Sequence, residues 1–204
     1  MTLSESDRWL VLSPGRTGGK IIVDCIRNAY RDQGLRLRHI MYEDEVSVIP
    51  NLSITHSHRV CNTHHAASGV KVILSTRDAV ESAISWCIVH KIGKYHLFPE
   101  SDQSKIDQLN NKIPSFYLSP KDFYWQYMNV YNFYKNLELS DDITIIDYSE
   151  IKDDYTVIYD LLDLPKPANY QRIPIKNPGT PEQWITNWEE ISELISKLDR
   201  CQLK

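Results

Sequence analysis

No stretch of this sequence approaches the ~18 consecutive apolar residues of a membrane-spanning helix, and no internal repeat, low-complexity tract or linker interrupts it. A membrane span, a solenoid and a disordered arm are therefore not expected. Basic charge is also in short supply. The 23 Lys and Arg side chains face 27 Asp and Glu, a formal charge of −4, so no global positive field draws the chain to nucleic acid or anionic lipid, and any anion site must be local. Cysteine is scarce and scattered: Cys25, Cys61, Cys87 and Cys201 form no CxxC pair, and two of them fall on apolar helix faces. That pattern predicts reduced core thiols in a cytoplasmic protein rather than disulfides. The opening Met-Thr-Leu-Ser-Glu-Ser-Asp-Arg has neither the basic nor the long apolar region of an export signal. What is present is the composition of a globular protein, 42% hydrophobic and 25% charged over 204 residues, and it predicts one domain, 1–204.

The apolar run Trp9 to Leu12 reads as a buried strand, broken by Ser13-Pro14-Gly15. A helix follows from Lys20, with Ile22, Cys25, Ile26, Ala29 and Tyr30 on one face and Gly34 as its stop. The order recurs: Val70 to Leu74 is a strand, Ser75 to Asp78 a turn, and Val80, Ala83, Ile84, Cys87 and Ile88 repeat the helical spacing. Further strands are expected at Ser53 to His56 and at Ile143 to Asp147, the latter followed by a helix from Asp154 to Leu162. Ser119-Pro120-Lys121-Asp122 is a helix start, opening an aromatic helix to Leu137, most of whose rings are expected in the core. Residues 91 to 118 read as irregular, Pro165 to Pro181 as an extended surface segment, and Trp188 to Leu198 as a last amphipathic helix. Strands alternating with helices predict an α/β protein, a three-layer α/β/α arrangement around a mainly parallel sheet, with ligands beyond the carboxyl ends of its strands.

The chemistry-bearing residues gather at those ends. Ser13-Pro14-Gly15-Arg16-Thr17-Gly18-Gly19-Lys20 joins strand to helix, where free N–H groups and the helix dipole favour an anion, the glycines permit close approach, and Arg16 and Lys20 add charge. It is not a GxxxxGK[ST] loop: Gly15 to Gly19 is one residue too short, and Ile21 stands where a magnesium-ligating hydroxyl belongs. A tight turn with solvated basic residues is the other reading. Arg77 ends a strand and Ser85 lies eight residues on, roughly 12 Å along a helix, so the arginine must reach back if both are to hold one phosphate. A surface pair between Arg77 and Asp78, with Ser85 as helix filler, is the plainer alternative. His56, His58, His64 and His65 crowd into ten residues, with no acidic or cysteine partners to complete a metal site, and imidazole suits proton transfer at neutral pH.

Taken together, these segments resemble the sulfotransferases that use 3′-phosphoadenosine 5′-phosphosulfate (PAPS). Arg16-Thr17-Gly18-Gly19-Lys20 is similar to that family's 5′-phosphosulfate loop, and Arg77 through Ser85 to its Arg-x7-Ser element for the 3′-phosphate. Ile54-Thr55-His56 resembles the Thr-His segment that supplies the catalytic histidine, and Asp147 to Ile151 a Tyr-Glu-Asp-Leu stretch after a late strand. The resemblance implies a P-loop-like sulfotransferase architecture and transfer of a sulfuryl group from PAPS to a hydroxyl or amine of an unidentified small-molecule or glycan acceptor. His56, or second His58, would take the proton, Arg16 and Lys20 would stabilise the leaving phosphate, and Thr17, Gly18 and Gly19 would offer N–H groups. Arg77, Ser85 and Lys176 would hold the 3′-phosphate, and no metal is implied. Gly19 and Lys20 depart from the family, which has two hydroxyl residues there, and Ala79 replaces a frequent proline. Tyr95, His96 and Phe98 are candidates for acceptor contacts. Two other readings stand beside this one: a phosphotransferase using Mg-ATP, with Asp147 on a strand like a magnesium-aspartate strand, and a catalytically silent nucleotide-binding or interaction domain.

Overall fold

The structure, a computed structural model, describes residues 3–42, 49–59, 69–92, 115–138, 142–168 and 180–198. Its strands are β1 (Arg8–Leu12), β2 (Arg38–Tyr42), β3 (Ser53–Ser57), β4 (Val70–Thr76) and β5 (Ile143–Asp147). Its helices are α1 (Gly19–Asp32), α2 (Ala79–Ile92), α3 (Pro120–Lys135), α4 (Tyr148–Ile151), α5 (Val157–Leu161), α6 (Pro181–Trp184) and α7 (Trp188–Ser196). The strands form one all-parallel sheet in the order β2-β3-β1-β4-β5, flanked by helices in the three-layer α/β/α manner. No helix among the described residues is long and apolar enough to cross a membrane. The chain divides into two compact units, drawn mainly from Met1–Arg77 with Tyr131–Tyr170 and from Asp78–Val130 with Gln171–Gln202.

The first unit holds the sheet. All five residues of β3 and four of the five of β1 are buried, as is usual for the central strands of a parallel sheet, whereas Thr144 and Ile145 of β5 are exposed. On one face Trp9, Val11, Ile54, Ile73 and Ile146 pack with Ile22, Val23, Cys25, Ile26, Ala29 and Tyr30 of α1, which includes every residue expected on that helix's apolar stripe. Gly34, at φ 75°, ends α1 as anticipated, since the left-handed turn there costs glycine nothing. Tyr30 also receives a hydrogen bond from Trp9 Nε1 (2.9 Å) and donates to Asp7, whose other oxygen pairs with Lys71 at 2.8 Å, a polar tie at the amino ends of β1 and β4.

Three elements differ from expectation. β2 is an additional strand: its Arg-His-Ile-Met-Tyr sequence lacks an apolar run because it is an edge strand, half open to water, with Met41 exposed. The helix expected from Asp154 begins only at Val157, because the Asp154 carboxylate takes the Thr156 N–H and hydroxyl (2.9 and 2.6 Å) and holds residues 154–156 in a turn. Between β5 and that turn lies α4, a single turn made possible by a capping box in which Asp147 and Glu150 satisfy each other's backbone N–H groups.

In the second unit α2 is buried over most of its surface, since Ala79, Ser82, Ser85 and Val89 are enclosed along with the expected Val80, Ala83, Ile84, Cys87 and Ile88, while Glu81, His90 and Lys91 are exposed. Asp78 is its cap: Oδ1 accepts the Glu81 N–H at 2.9 Å, a role that replaces the suggested surface pairing with Arg77. Burial, with the negative charge of Asp122, pushes the Cys87 thiol up to about 12, so it stays protonated and unreactive. α3 opens at Pro120 behind Ser119, as its sequence predicts. Phe123 and Tyr127 are core residues, whereas Tyr124 and Trp125 face water; the end of α3 from Tyr131 belongs to the first unit, where Phe133 and Tyr134 are buried. A capping box at Thr180 and Gln183 starts α6 at Pro181, where only extended chain was expected.

Candidate anion-binding site

Connections from β1 run towards β3 and β2, and those from β4 towards β5, so the order of the sheet reverses between β1 and β4. A crevice opens at such a point beyond the carboxyl ends of the strands. Ser13 continues the β1–β3 ladder by one bond, its N–H reaching the Ser57 carbonyl at 3.0 Å. The chain then turns: Arg16 takes a left-handed backbone at φ 66° and Gly18 does so at φ 91°, as the cap of α1. The turned carbonyls are claimed by β4 and the residue after it. Ser75 Oγ donates to the Thr17 carbonyl, and Arg77 Nη1 donates to that of Arg16 at 3.2 Å.

Close packing explains the two glycines. A Cβ on Gly18 would stand 3.0 Å from Tyr148 Cδ2 and 3.1 Å from Ile151 Cδ1. One on Gly19 would stand 2.7 Å from Ser13 Cβ and 2.8 Å from His56 Nε2, and would overlap Ser13 Oγ. The missing hydroxyl side chain at position 19 is thus a steric consequence of what lies beneath the loop. Thr17 Oγ1, in a residue with no exposed surface, has no hydrogen-bond partner among the described residues. A buried hydroxyl left so calls for a ligand or water to complete it.

Arg16 and Arg77 bring their positive charges together here. Burial first, and then the field of Arg77, lower the Arg16 pKa, against a smaller opposing effect of Tyr148. The Arg77 guanidinium lies over the Tyr148 ring, 4.4 Å from its centroid, and its backbone N–H reaches Tyr134 Oη at 3.0 Å. The sheet register produces that stack: Thr76 and Asp147 are paired across β4 and β5, Thr76 Oγ1 donates to Asp147 Oδ2 at 2.8 Å, and the next residues on each chain are Arg77 and Tyr148. No protein-family model matches the chain, and no curated protein matches it.

Lys20 points its charge elsewhere, pairing with the nearly buried Asp24 one helical turn on, at 2.5 Å. Asp147, on the strand that suggested a magnesium site, is occupied as a cap, with Oδ1 holding the Ser149 N–H (2.9 Å) and hydroxyl (2.6 Å). Among the described residues no cluster of three or more His, Cys, Asp or Glu side chains is placed to hold a metal. Ser85 is buried in α2 of the second unit. Lys176, His64, His65, Tyr95, His96 and Phe98 lie outside the described residues, as do Cys61 and Cys201.

The histidines meet at the end of β3. Ser13 Oγ is 2.7 Å from Nε2 of the buried His56, while the Ser13 carbonyl accepts Nδ1–H of the exposed His58 at 2.7 Å. The two rings pack edge to face at 4.6 Å, and His39 stacks 6.2 Å from His56 on its far side. Burial, with the charges of Lys20 and Arg27, holds His39 below the ordinary histidine range, so it is neutral at pH 7. Neither Ser13 nor His39 is visible as a site residue in the sequence. His39 needs β2 and its register against β3, and Ser13 needs the crossing of two strand ends. The Lys20–Asp24 pair did leave a signal, the i, i+4 spacing of opposite charges on a helix.

Asp147 carries an acid-stability consequence. Partial burial works to raise its pKa, but the hydrogen bonds from Ser149 and Thr76 and the charge of Arg77 outweigh this and leave it below 3.8. Its contribution is therefore complete above the unfolded value and is lost as pH falls through the folded one. Asp147→Asn keeps an acceptor for the Ser149 N–H but loses the acceptor for Thr76 Oγ1 and the charge facing Arg77, so it should lower the melting temperature at pH 7 by an amount corresponding to about 1 kcal/mol. Asp147→Asn should also show a shallower loss of stability than the wild type as pH falls below 4, and a scan from pH 7 to pH 2.5 in both proteins checks it.

Proposed function

We propose that this protein is a PAPS-dependent sulfotransferase, acting on a hydroxyl or amine of a small-molecule or glycan acceptor. The observation that carries the reading is the convergence of Arg16 and Arg77 on a glycine loop at the amino end of α1, with Gly18 in a left-handed backbone, Gly19 packed too closely for a side chain, and a buried Thr17 hydroxyl left without a partner among the described residues. Such a site takes a multiply charged anion without a bridging metal. Of the residues that favour a phosphotransferase, Lys20 pairs with Asp24 and Asp147 caps α4, and the same pairing draws Lys20 away from the leaving phosphate in the sulfotransferase reading.

In the proposed reaction the acceptor oxygen or nitrogen forms a bond to sulfur as the bond from sulfur to the 5′-phosphate oxygen breaks. The bonding pair leaves with that oxygen, and the acceptor's proton passes to a histidine at the end of β3. Arg16, the N–H groups at the start of α1 and the Thr17 hydroxyl would stabilise the charge growing on the leaving phosphate. Arg77 would hold the nucleotide's remaining charge, and the enzyme's contribution would be positioning and charge stabilisation, as in phosphoryl transfer.

Calorimetric titration with 3′-phosphoadenosine 5′-phosphate (PAP), beside AMP and Mg-ATP, tests this. PAP should bind at least about tenfold more tightly than AMP, the value of one charge-assisted contact, and magnesium should add nothing. Preference for Mg-ATP, or no binding of PAP, would reject the sulfotransferase reading. Tight PAP binding with no release of PAP from PAPS would leave a silent nucleotide-binding domain.

A further inference from the structure

Ser13 touches both histidines, and the directions of its hydrogen bonds give them different work. A carbonyl oxygen has no hydrogen to donate, so the 2.7 Å contact between the Ser13 carbonyl and His58 Nδ1 places a proton on that nitrogen. Neutral His58 therefore carries its lone pair on Nε2. The same Nδ1–H lies 3.4 Å from Ser13 Oγ, pointing a hydrogen at the serine oxygen from one side. Ser13 Oγ also lies 2.7 Å from His56 Nε2, so that nitrogen is engaged by the serine hydroxyl whichever of the two carries the hydrogen. His56 meets a buried hydroxyl at Nε2, is only 2% exposed, and has Gly19 closing over it so tightly that a Cβ there would come within 2.8 Å of the same nitrogen. The ring of His58 lies in an exposed residue.

We infer that His58, not His56, takes the acceptor's proton, and that Ser13 is the positioning residue that imposes this division; the inference rests on the sulfuryl-transfer reading. As the acceptor oxygen bonds to sulfur, its proton moves to His58 Nε2, and the electron pair of the broken sulfur–oxygen bond stays on the 5′-phosphate of PAP. The resulting imidazolium strengthens its Nδ1–H bond to the Ser13 carbonyl, a neutral bond becoming a charge-assisted one. His56 is the support beneath the loop, holding Ser13 Oγ in the volume a side chain at position 19 would need.

Two measurements test this, one of which needs no cofactor. Long-range proton–nitrogen correlation spectra of the free wild-type protein should show His58 as the Nδ1–H tautomer, and Ser13→Ala should change the tautomer ratio of His56. Turnover is read as release of PAP from PAPS with water as acceptor. His58→Gln should lower it about 100-fold or more, the usual contribution of a general base, while PAP affinity changes by less than about threefold. His56→Gln should lower melting temperature and PAP affinity together with turnover, the mark of a support. Wild-type turnover in His58→Gln, or a His58 proton on Nε2, would overturn the inference. Failure of the wild type to bind PAP would instead reject the sulfuryl-transfer reading, with the free-protein spectra still deciding the Ser13 arrangement.

Discussion

Gly19→Ala should lower the melting temperature by about 3–10 °C, from an overpacking cost of about 1–3 kcal/mol in a chain of this size. The cause is contact rather than backbone conformation, because the collisions are with Ser13 Cβ, Ser13 Oγ and His56 Nε2. Ser13 cannot retreat easily: its N–H is bonded to Ser57 and its carbonyl to His58. Adding Ser13→Gly removes two of the three collisions, so the double variant should be more stable than the sum of the single effects by about 1 kcal/mol, within the range for residues in contact. Thermal denaturation of the four proteins reads this directly. Strict additivity would mean that the loop does not lie against Ser13 as described. PAP affinity should fall in Gly19→Ala and recover in part in the double variant.

Arg77→Lys should weaken PAP binding almost as much as Arg77→Ala, by about 10- to 100-fold, the value of one or two hydrogen bonds to a charged group. Charge alone does not define this side chain. Its plane stacks on Tyr148, and one arm of the guanidinium holds the Arg16 carbonyl. A lysine keeps the charge but neither the plane nor the second donor. Calorimetry at low and high salt separates the two contributions. Lysine rescuing affinity at low salt would show that Arg77 acts as a point charge, and equal loss in both variants would support the oriented clamp.

The elements legible in the sequence are those whose own residues pay for their burial. β1, β4 and β5 are apolar runs, and α1, α3 and α7 carry a capped or periodic apolar face, so each could be placed within a few residues. What escaped depends on partners elsewhere. β2 is held by pairing with β3, and α4 and α6 are single turns stabilised by side-chain caps rather than by apolar spacing. The same distinction runs through the site. Arg16, Thr17, Gly18, Gly19, Arg77, His56 and His58 were legible because loop and strand ends declare themselves locally, and the structure brings them into contacts described above, with the Thr17 hydroxyl left without a partner among the described residues. Ser13, His39 and Tyr148 acquire their roles only where strands meet side by side, which residue spacing along one chain does not encode.

The neighbouring charges of Arg16 and Arg77, on a loop whose arginine sits in a left-handed backbone, have a bearing on solutions as well as on catalysis. On the proposed reading, in which this loop takes an anion between the two arginines, small oxyanions become partners in folding. Phosphate or sulfate in a buffer would relieve the repulsion between those charges and stabilise the native chain by mass action, about 2.7 kcal/mol at a hundred times the dissociation constant, while competing with any nucleotide added afterwards. Protein held in phosphate and protein held in chloride are then two thermodynamic starting points, and affinities measured from them differ by the work of exchanging one anion for another.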